Sequence, residues 1–212
     1  MSAPRIPNNV ADWMANFRGY VKPYLYEVTF SGKGFQTALD NAVPSGMIGP
    51  SAKDMTYLCE AASLPGSAVS TQPNRIHGPV RELAYERLFS GDLSLTFRMD
   101  AYMTMRKFFQ AWHNVIYDSE TGDFNYYRDY TSDILIYQYP TTQSDGFGDP
   151  NYHGGAYPIY GVRVVDAYPK SLQAIEVGYE QRDTYMKQTV DFAFRRWEQI
   201  PQNELYSGGG GS

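Results

Sequence analysis

The residue types that most often do chemistry are scarce in this sequence. The chain has 212 residues, and its thiol and imidazole groups are Cys59, His77, His113 and His153. A Cys–His pair would supply an activated thiolate nucleophile, and several such residues at short spacing would supply a metal site. No two of them stand at metal-ligand spacing. A Cys–His pair formed by folding stays open, and a hydrolase is the weakest interpretation of function.

Two segments resemble catalytic motifs only in isolation. The stretch "YLCEAASLPG" places Cys59 near Leu58 and Ala61 in a predicted strand over 55–62, which favours a small buried residue over a nucleophile. The "HGG" at 153–155 lies in a glycine-rich hairpin tip, where a turn explains it better than an oxyanion loop. The chain has no P-loop, nucleophile elbow or dinucleotide fingerprint. We therefore expect no enzyme, no cofactor and no metal site.

Composition and charge narrow the function further. Aromatic residues make up 16% of the chain, which favours strands. The net charge is -5 with no basic cluster, so tight nonspecific nucleic-acid binding is not expected. Between residues 118 and 151 there are seven acids and one base, which indicates a solvated acidic surface. We see no membrane span or secretory signal, and a single cysteine fits synthesis in a reducing cytoplasm.

Hydrophobic periodicity predicts a mainly β domain. Strands are predicted over 24–30, 55–62, 67–72, 82–89, 93–99, 132–139 and 157–168, with a last β segment within 184–199. One helix is predicted over 101–116, capped by Asp100, with Phe109 and Trp112 on its core-facing stripe. Alternating strands with Gly and Pro turns predict an antiparallel β-sandwich or barrel that carries one packed helix and long loops.

The sequence divides into three parts. Residues 1–20 form an N-terminal arm with Val10, Trp13, Met14 and Phe17 at helical spacing. Residues 21–200 form the β domain. Residues 201–212 end in "GGGGS" and predict a flexible tail.

The order of the predicted elements resembles that of one protein family. The segments are "YLYEVTF", "YLCEAASLPGSAV", "ELAYERLFSGDLSLTFRMDAYMTMRKFFQAWHNVI" and "AYPKSLQAIEVGYEQRDTYMKQTVDFAFRRWE". In this order they resemble the tail tube proteins of contractile-tailed bacteriophages, over roughly residues 20–198. The loops at 31–53 and 140–156 look like insertions in that pattern.

The resemblance implies a structural virion protein, made in the host cytoplasm. Family members form hexameric rings whose inner strands join neighbours into one continuous barrel, and the rings stack into a tube for DNA ejection into the host. The implied partners are other copies of the chain and the tail sheath, baseplate and tape-measure proteins. DNA would pass through without specific binding, and no membrane is involved. In the related type VI secretion tubes the passenger is protein.

The two inserted loops are the candidate contacts between subunits. Their apolar residues are Phe35, Leu39, Val43, Met47 and Ile48 in the first loop, and Phe147 and Tyr152 in the second. Two alternatives remain open. One is a tube initiator or terminator of the same tail. The other is a carbohydrate-binding β-sandwich, in which "SDGFGDPNYHGG" would stack on and hydrogen-bond sugars.

Overall fold

The structure, a computed structural model, describes residues 20–42, 51–75, 78–89, 92–139, 158–175, 177–178 and 185–207. The helix predicted near residues 10–17, the hairpin tip at 140–156 and the terminal "GGGGS" lie outside the described residues. No helix of the described part is both long enough and apolar enough to span a membrane.

The described chain is mainly β, with helices between the strands. The strands are β1 (Tyr26–Ser31), β2 (Cys59–Ala62), β3 (Ala68–Asn74), β4 (Arg81–Leu88), β5 (Leu93–Arg98), β6 (Ser132–Gln138), β7 (Tyr160–Leu172), β8 (Lys187–Ala193) and β9 (Arg196–Gln199). The helices are α1 (Lys33–Ala42), α2 (Ala52–Leu58), α3 (Thr104–Ile116), α4 (Tyr127–Tyr130) and α5 (Gln202–Ser207).

One long strand joins the two layers of the fold. The main sheet has the strand order β1-β6-β7-β8-β5-β2, and β9 also pairs with β7. All the strand pairs in this sheet are antiparallel. The first half of β7 pairs with β6 and β9, and its second half pairs with β8. Between the halves Asp166 has a φ of 55°. Such an irregularity lets one strand turn a corner between sheets, so the predicted sandwich-like fold is confirmed.

The core forms around α3. Trp112 is fully buried, and its ring meets those of Phe30, Phe35 and Phe192 edge-on at centroid distances of 6.3, 6.1 and 6.1 Å. The indole Nε1 donates to the Tyr130 carbonyl at 2.8 Å, so its polar atom is satisfied. Phe109 on the same helix is also fully buried. The helix begins at Thr104, whose N–H donates to Asp100 Oδ1 at 2.6 Å.

The prediction of an irregular loop over 31–53 is wrong for much of its length, because α1 and the start of α2 lie there. Phe35 on α1 is fully buried and stacks on Phe30 at 5.4 Å. A Cβ at Gly34 would lie 2.2 Å from the Tyr130 carbonyl oxygen, so α1 packs directly on backbone. Phe35, Ala38, Leu39 and Ala42 recur at helical spacing, a signal that the glycines and serines around it concealed.

Two further boundaries differ from prediction. The strand expected from residue 55 starts only at Cys59, because Ser51 and Asp54 form a reciprocal capping box that begins α2. The flexible tail expected from residue 201 contains α5 instead. There Leu205 is buried and packs closely on Gly161. A Cβ added at Gly161 would lie 2.8 Å from the Leu205 side chain.

Candidate subunit interface

The single thiol is held in an unreactive state. Cys59 is the first residue of β2 and is buried. The Tyr26 hydroxyl donates to its carbonyl at 3.0 Å, which fixes the backbone there. Burial raises the pKa of the Cys59 thiol to about 12. At neutral pH the group is therefore a neutral thiol and not a nucleophile.

Among the described residues, His113 and the thiol of Cys59 belong to no metal-binding group. His113 lies on α3, where burial lowers the pKa of its imidazole. Its Nε2 has no hydrogen-bond partner among the described residues. His77 and His153 lie outside the described residues. Within those residues no group of three or more His, Cys, Asp or Glu side chains could hold a metal ion. The functional surface has to be sought among exposed elements instead.

The most exposed element is the hairpin of β3 and β4, which forms a separate two-stranded sheet. Seven residue pairs hold it in antiparallel register, with one irregularity between Ser70 and Thr71. Every residue of β4 and all but one of β3 are exposed. Since side chains alternate between the two faces of a strand, both faces of the hairpin meet solvent in the isolated subunit.

The hairpin is tied to the sandwich at its base. Trp197 of β9 meets Phe89 edge-on at 6.3 Å, and its Nε1 donates to the Gly66 carbonyl at 2.9 Å. The guanidinium of Arg87 lies 5.0 Å from the Phe89 ring and 5.6 Å from the Trp197 ring. These contacts hold the base of the hairpin against the sandwich. The rest of the hairpin stays exposed.

Apolar side chains line this exposed hairpin and its turn. Their exposed fractions are Val69 58%, Val80 56%, Leu83 51%, Tyr85 66% and Leu88 41%. A two-stranded hairpin without a third strand or a packed helix is marginally stable in water. Several exposed apolar side chains on one element are typical of an interaction site. The hairpin is therefore the candidate contact surface of the subunit.

The two terminal strands of the sheet are partly blocked against adding a further strand. The Thr56 hydroxyl of α2 donates to the Val28 carbonyl of β1 at 2.8 Å. On β2, the Cys59 carbonyl is taken by Tyr26. Side chains that occupy edge carbonyls limit uncontrolled strand addition.

The acidic region begins with a turn over residues 118–124. The Asp118 carboxylate accepts a hydrogen bond from the Glu120 N–H at 2.8 Å. This backbone hydrogen bond is the main cause that lowers the pKa of the Asp118 carboxyl group. Gly122 has a φ of 80°, and Tyr117 pairs with Phe124 across the turn at 4.9 Å between ring centroids. The turn presents an acidic and aromatic surface, since Phe124 is 75% exposed.

The predicted contact residues of the first loop fall into two groups. Phe35 is fully buried inside its own subunit, and Leu39 is partly buried against the same core. Val43, Met47 and Ile48 lie outside the described residues, as do Phe147 and Tyr152 of the second loop.

The sequence analysis missed the hairpin as a contact surface. Leu83 and Tyr85 alternate with Glu82, Ala84 and Glu86, which is the pattern of a half-buried strand. That pattern correctly identifies the strand. It gives no sign that the covering layer is absent from the subunit.

Comparison with known proteins places the fold. Residues 21–200 match the family model described as phage tail tube protein. Among solved structures, the chain is similar to the PVC sheath/tube terminator of an extracellular contractile injection system in its extended state. The TM-score is 0.54 at 15% identity, over 87% of this chain and 100% of that one.

Two structures of the anti-feeding prophage are similar as well. The tube terminating cap gives a TM-score of 0.54 at 14% identity, over 87% of this chain and 93% of that one. A chain of the 6-fold symmetrised baseplate gives 0.52 at 12% identity, over 87% and 97%. At these identities the likeness shows the fold alone. No curated protein sequence matches the chain.

The family match therefore runs from the start of β1 to the end of β9 and includes the exposed hairpin as well as the sandwich. The matched range also contains the buried thiol of Cys59. The chain belongs to the phage tail tube protein family.

Proposed function

We propose that this protein is the repeating subunit of the tube in a contractile phage tail. Six copies close into a ring, rings stack into a hollow tube, and DNA passes through the tube into the host. The observation that carries this proposal is the β3–β4 hairpin, which is exposed on both faces and rich in apolar side chains. Such an element gains its full stability only when a neighbouring subunit covers it.

Another copy of the same chain is the occupant that this hairpin suits best. The hairpin carries acids and bases close together, with Glu82 and Arg81 near its tip and Glu86 and Arg87 near its base. A surface with both signs of charge beside apolar groups fits a repeated protein contact better than a polyanion. Closed symmetric assemblies use one such surface many times, and this is how a ring is made.

The charge distribution supports a passage through which DNA slides. The chain carries a net charge of -5. In the described part, Lys33, Lys170 and Lys187 each lie 2.6 or 2.7 Å from a carboxylate oxygen. Lysines held by carboxylates are poor ligands for phosphate, so a tube of these subunits would not retain its passenger.

Negative-stain electron microscopy of the purified protein tests the proposal. We expect hollow tubes or stacked rings. The double variant Leu83→Ser, Tyr85→Ser should remain as folded subunits with an unchanged melting temperature and form no tubes. Tyr126→Ser is the matched control, because Tyr126 is 84% exposed and lies outside the hairpin. Tubes of normal length from the hairpin double variant would refute the role of the hairpin.

A second candidate function is a tube terminator of the same tail. Two of the similar structures are described as a sheath/tube terminator and a tube terminating cap, which supports this reading. A terminator binds a ring on one face only. Microscopy separates the two candidates: a repeating subunit gives long tubes, and a terminator gives single rings.

The remaining partners follow from a place in the tail. The sheath would surround the tube, the baseplate would start it, and a tape-measure protein would occupy its lumen before ejection. The virion is then the location of the mature protein. The residues around 43–50 remain candidates for ring-to-ring contact, and replacing only these residues with a short Gly-Ser link tests them. If tubes of that variant keep their length and heat resistance, Val43, Met47 and Ile48 are not stacking contacts.

A further inference from the structure

His113 carries a partly buried imidazole in the last turn of α3. Its backbone carbonyl accepts from the Tyr117 N–H at 3.0 Å, where the helix ends. The ring nitrogen Nε2 is buried and has no hydrogen-bond partner among the described residues. A buried nitrogen without a partner is uncommon in a folded protein, because it has lost its hydrogen bonds to water. Such an atom makes its surroundings sensitive to the protonation of the ring.

The second half of β7 lies next to this imidazole. Pro169 of β7 pairs with Phe192 of β8, and the Phe192 ring meets that of Trp112 at 6.1 Å. A hydrogen bond links the His113 ring to the backbone of Pro169. Since proline has no N–H, the ring donates to the Pro169 carbonyl, and since Nε2 has no partner, the donor is Nδ1. The neutral ring therefore ties the end of α3 to the strand that joins the two layers.

Arg106 places a cation near the same ring. It lies seven residues before His113 on α3, which is about two turns and so the same face of the helix. Its guanidinium donates to Gln188 Oε1 at 2.5 Å and to the Gln173 carbonyl at 3.2 Å. Gln188 is fully buried, so the cation is held in place. Its positive charge opposes a second positive charge on the imidazole.

Within the described part of the chain, no acid stabilises a charged form of this imidazole. Elements α1, α4 and β7 pack against α3. In α1, α4 and the second half of β7, the charged residues are Lys33, Asp40, Arg128, Asp129, Asp166 and Lys170. None of them contributes to the electrostatic environment of the ring. The tyrosines of α4 and β7 are neutral in acid and add no charge.

Burial decides the balance of these effects. It opposes a charge on the His113 ring and is the largest effect, and Arg106 acts in the same direction. The hydrogen bond to Pro169 and the C-terminal end of the helix favour the charged ring. The net result is that the pKa of the His113 imidazole is lowered. The ring is therefore neutral at pH 7 and resists protonation in mild acid.

We propose that His113 is an acid-sensitive latch between α3 and β7. The neutral ring donates to the Pro169 carbonyl and holds the last turn of α3 on the strand. Acid places a proton on the buried Nε2, which has no acceptor, in the field of Arg106. The last turn of α3 then loosens from β7. The latch acts within a single subunit, so it goes beyond the proposed function and does not depend on tube assembly.

Melting temperatures measured at several pH values test the latch. The unfolded chain takes up the proton near pH 6.5 and the folded protein only at lower pH, so stability is lost as the pH falls below about 6.5. From pH 7.5 to 5, the wild type should lose about 2–4 °C more than His113→Gln, whose amide donates but takes up no proton. His77 and His153 are present in both proteins, so their contributions cancel.

Nuclear magnetic resonance of the unassembled wild-type subunit tests the same point without a substitution. The ring carbon signal of His113 should titrate with a midpoint below that of the chain unfolded in denaturant. The amide of Lys170, the residue after Pro169, should shift with the same midpoint. Hydrogen exchange should show that the amides of residues 112–117 lose protection over this pH range. The amide of Leu95 in β5 is the control and should keep its protection.

Three results would overturn the proposal. One is a His113 midpoint equal to or above that of the unfolded chain. Another is an equal loss of melting temperature in acid for the wild type and His113→Gln. The third is a loss of protection at Leu95 at the same pH as in the last turn of α3, which would mean that acid unfolds the whole subunit. If His113→Gln does not fold, the titration of the wild type decides. Microscopy of tubes is scored separately, so this result and the proposed function fail independently.

Discussion

The core around α3 and the β3–β4 hairpin use similar side chains in opposite environments. In the core, the rings of Phe30, Phe35, Phe108, Trp112 and Phe192 pack on one another at centroid distances between 5.4 and 6.3 Å. On the hairpin, Leu83 and Tyr85 lie more than half exposed. In both regions the apolar residues recur with the period of the helix or strand that carries them.

The difference lies in whether the covering layer belongs to the same chain. Core side chains gain their burial energy when the subunit folds, about 1.5–3 kcal/mol for each large apolar group. Hairpin side chains gain theirs only on contact with another molecule. The core therefore sets the stability of the subunit, and in the proposed tube the hairpin would set its association. Substitutions in the two regions should separate melting temperature from assembly.

The largest effect is expected from Trp112→Ala. The change removes a fully buried ring that touches four other aromatic rings, and its Nε1 hydrogen bond to Tyr130. We expect the free energy of unfolding to fall by about 3–5 kcal/mol, with much of the protein insoluble. Denaturant unfolding of the soluble fraction measures the loss. Tyr126→Ala, at a fully surface position, is the control, and equal stability of the two variants would contradict the description of the core.

Gly34→Ala should come next. The added methyl would meet the Tyr130 carbonyl at 2.2 Å, and that contact is with backbone that α4 holds in place. We expect a loss of about 1–3 kcal/mol from the forced shift of α1. Thermal unfolding of the subunit measures it. Gly66→Ala is the matched control, since a Cβ there meets nothing within 4 Å. A melting temperature equal to that of the control would show that α1 does not pack as described.

Trp197→Ala should uncouple the two regions. It removes the indole that contacts Phe89 at the base of the hairpin. It also removes the hydrogen bond from that indole to the Gly66 carbonyl. We expect the subunit to lose only about 1–2 kcal/mol, while tube formation falls sharply because the hairpin loses its fixed direction. Calorimetry and electron microscopy of the same preparation give the two readouts. Normal tubes at reduced stability would mean that the anchor matters to the fold alone.

The smallest effect at neutral pH is expected from Cys59→Ala, at about 1 kcal/mol. The dependence on pH is more informative. The pKa of the Cys59 thiol is raised to about 12 in the folded protein, so the fold keeps a proton that the unfolded chain loses first. The stability from this group is complete below about pH 8.5 and is lost as the pH rises toward 12.

The difference in melting temperature between the wild type and Cys59→Ala should therefore shrink as the pH rises from 8 to 10.5. Burial first, and the neighbouring Cys59 next, raise the pKa of the Tyr26 hydroxyl to about 12, so the two groups are coupled and the comparison reports on the pair. A difference that stays constant over this range would mean that the thiol is accessible to solvent. Rapid labelling of the native wild type by a thiol reagent at pH 7 would point the same way.

Most of the strands could be predicted from the sequence. Leu93, Leu95 and Phe97 alternate with polar residues, and all three are fully buried on one face of β5. The stripe of Phe109 and Trp112 likewise predicts the buried face of α3. These patterns work because the period of a strand or helix fixes which side chains share a face.

Helix α1 and the start of α2 were harder to predict because glycine and serine carry meanings that depend on context. Gly34 suggests a loop, yet its missing Cβ is what allows α1 to lie against the Tyr130 carbonyl. Ser51 also suggests a loop, yet it caps α2. The Gly34 contact joins residues that are far apart in the sequence, so the sequence pattern does not reveal it. The capping box joins Ser51 and Asp54, which are only three residues apart.

The strands, their order, helix α3 and the lack of an obvious catalytic motif could be predicted from the sequence alone. Those depend on period, spacing and residue type, which are properties of neighbours along the chain. Only the tertiary structure decided that Phe35 faces inward while Leu83 and Tyr85 face outward. Burial depends on which distant segments supply the second layer, and a period repeated along one strand carries no information about that layer.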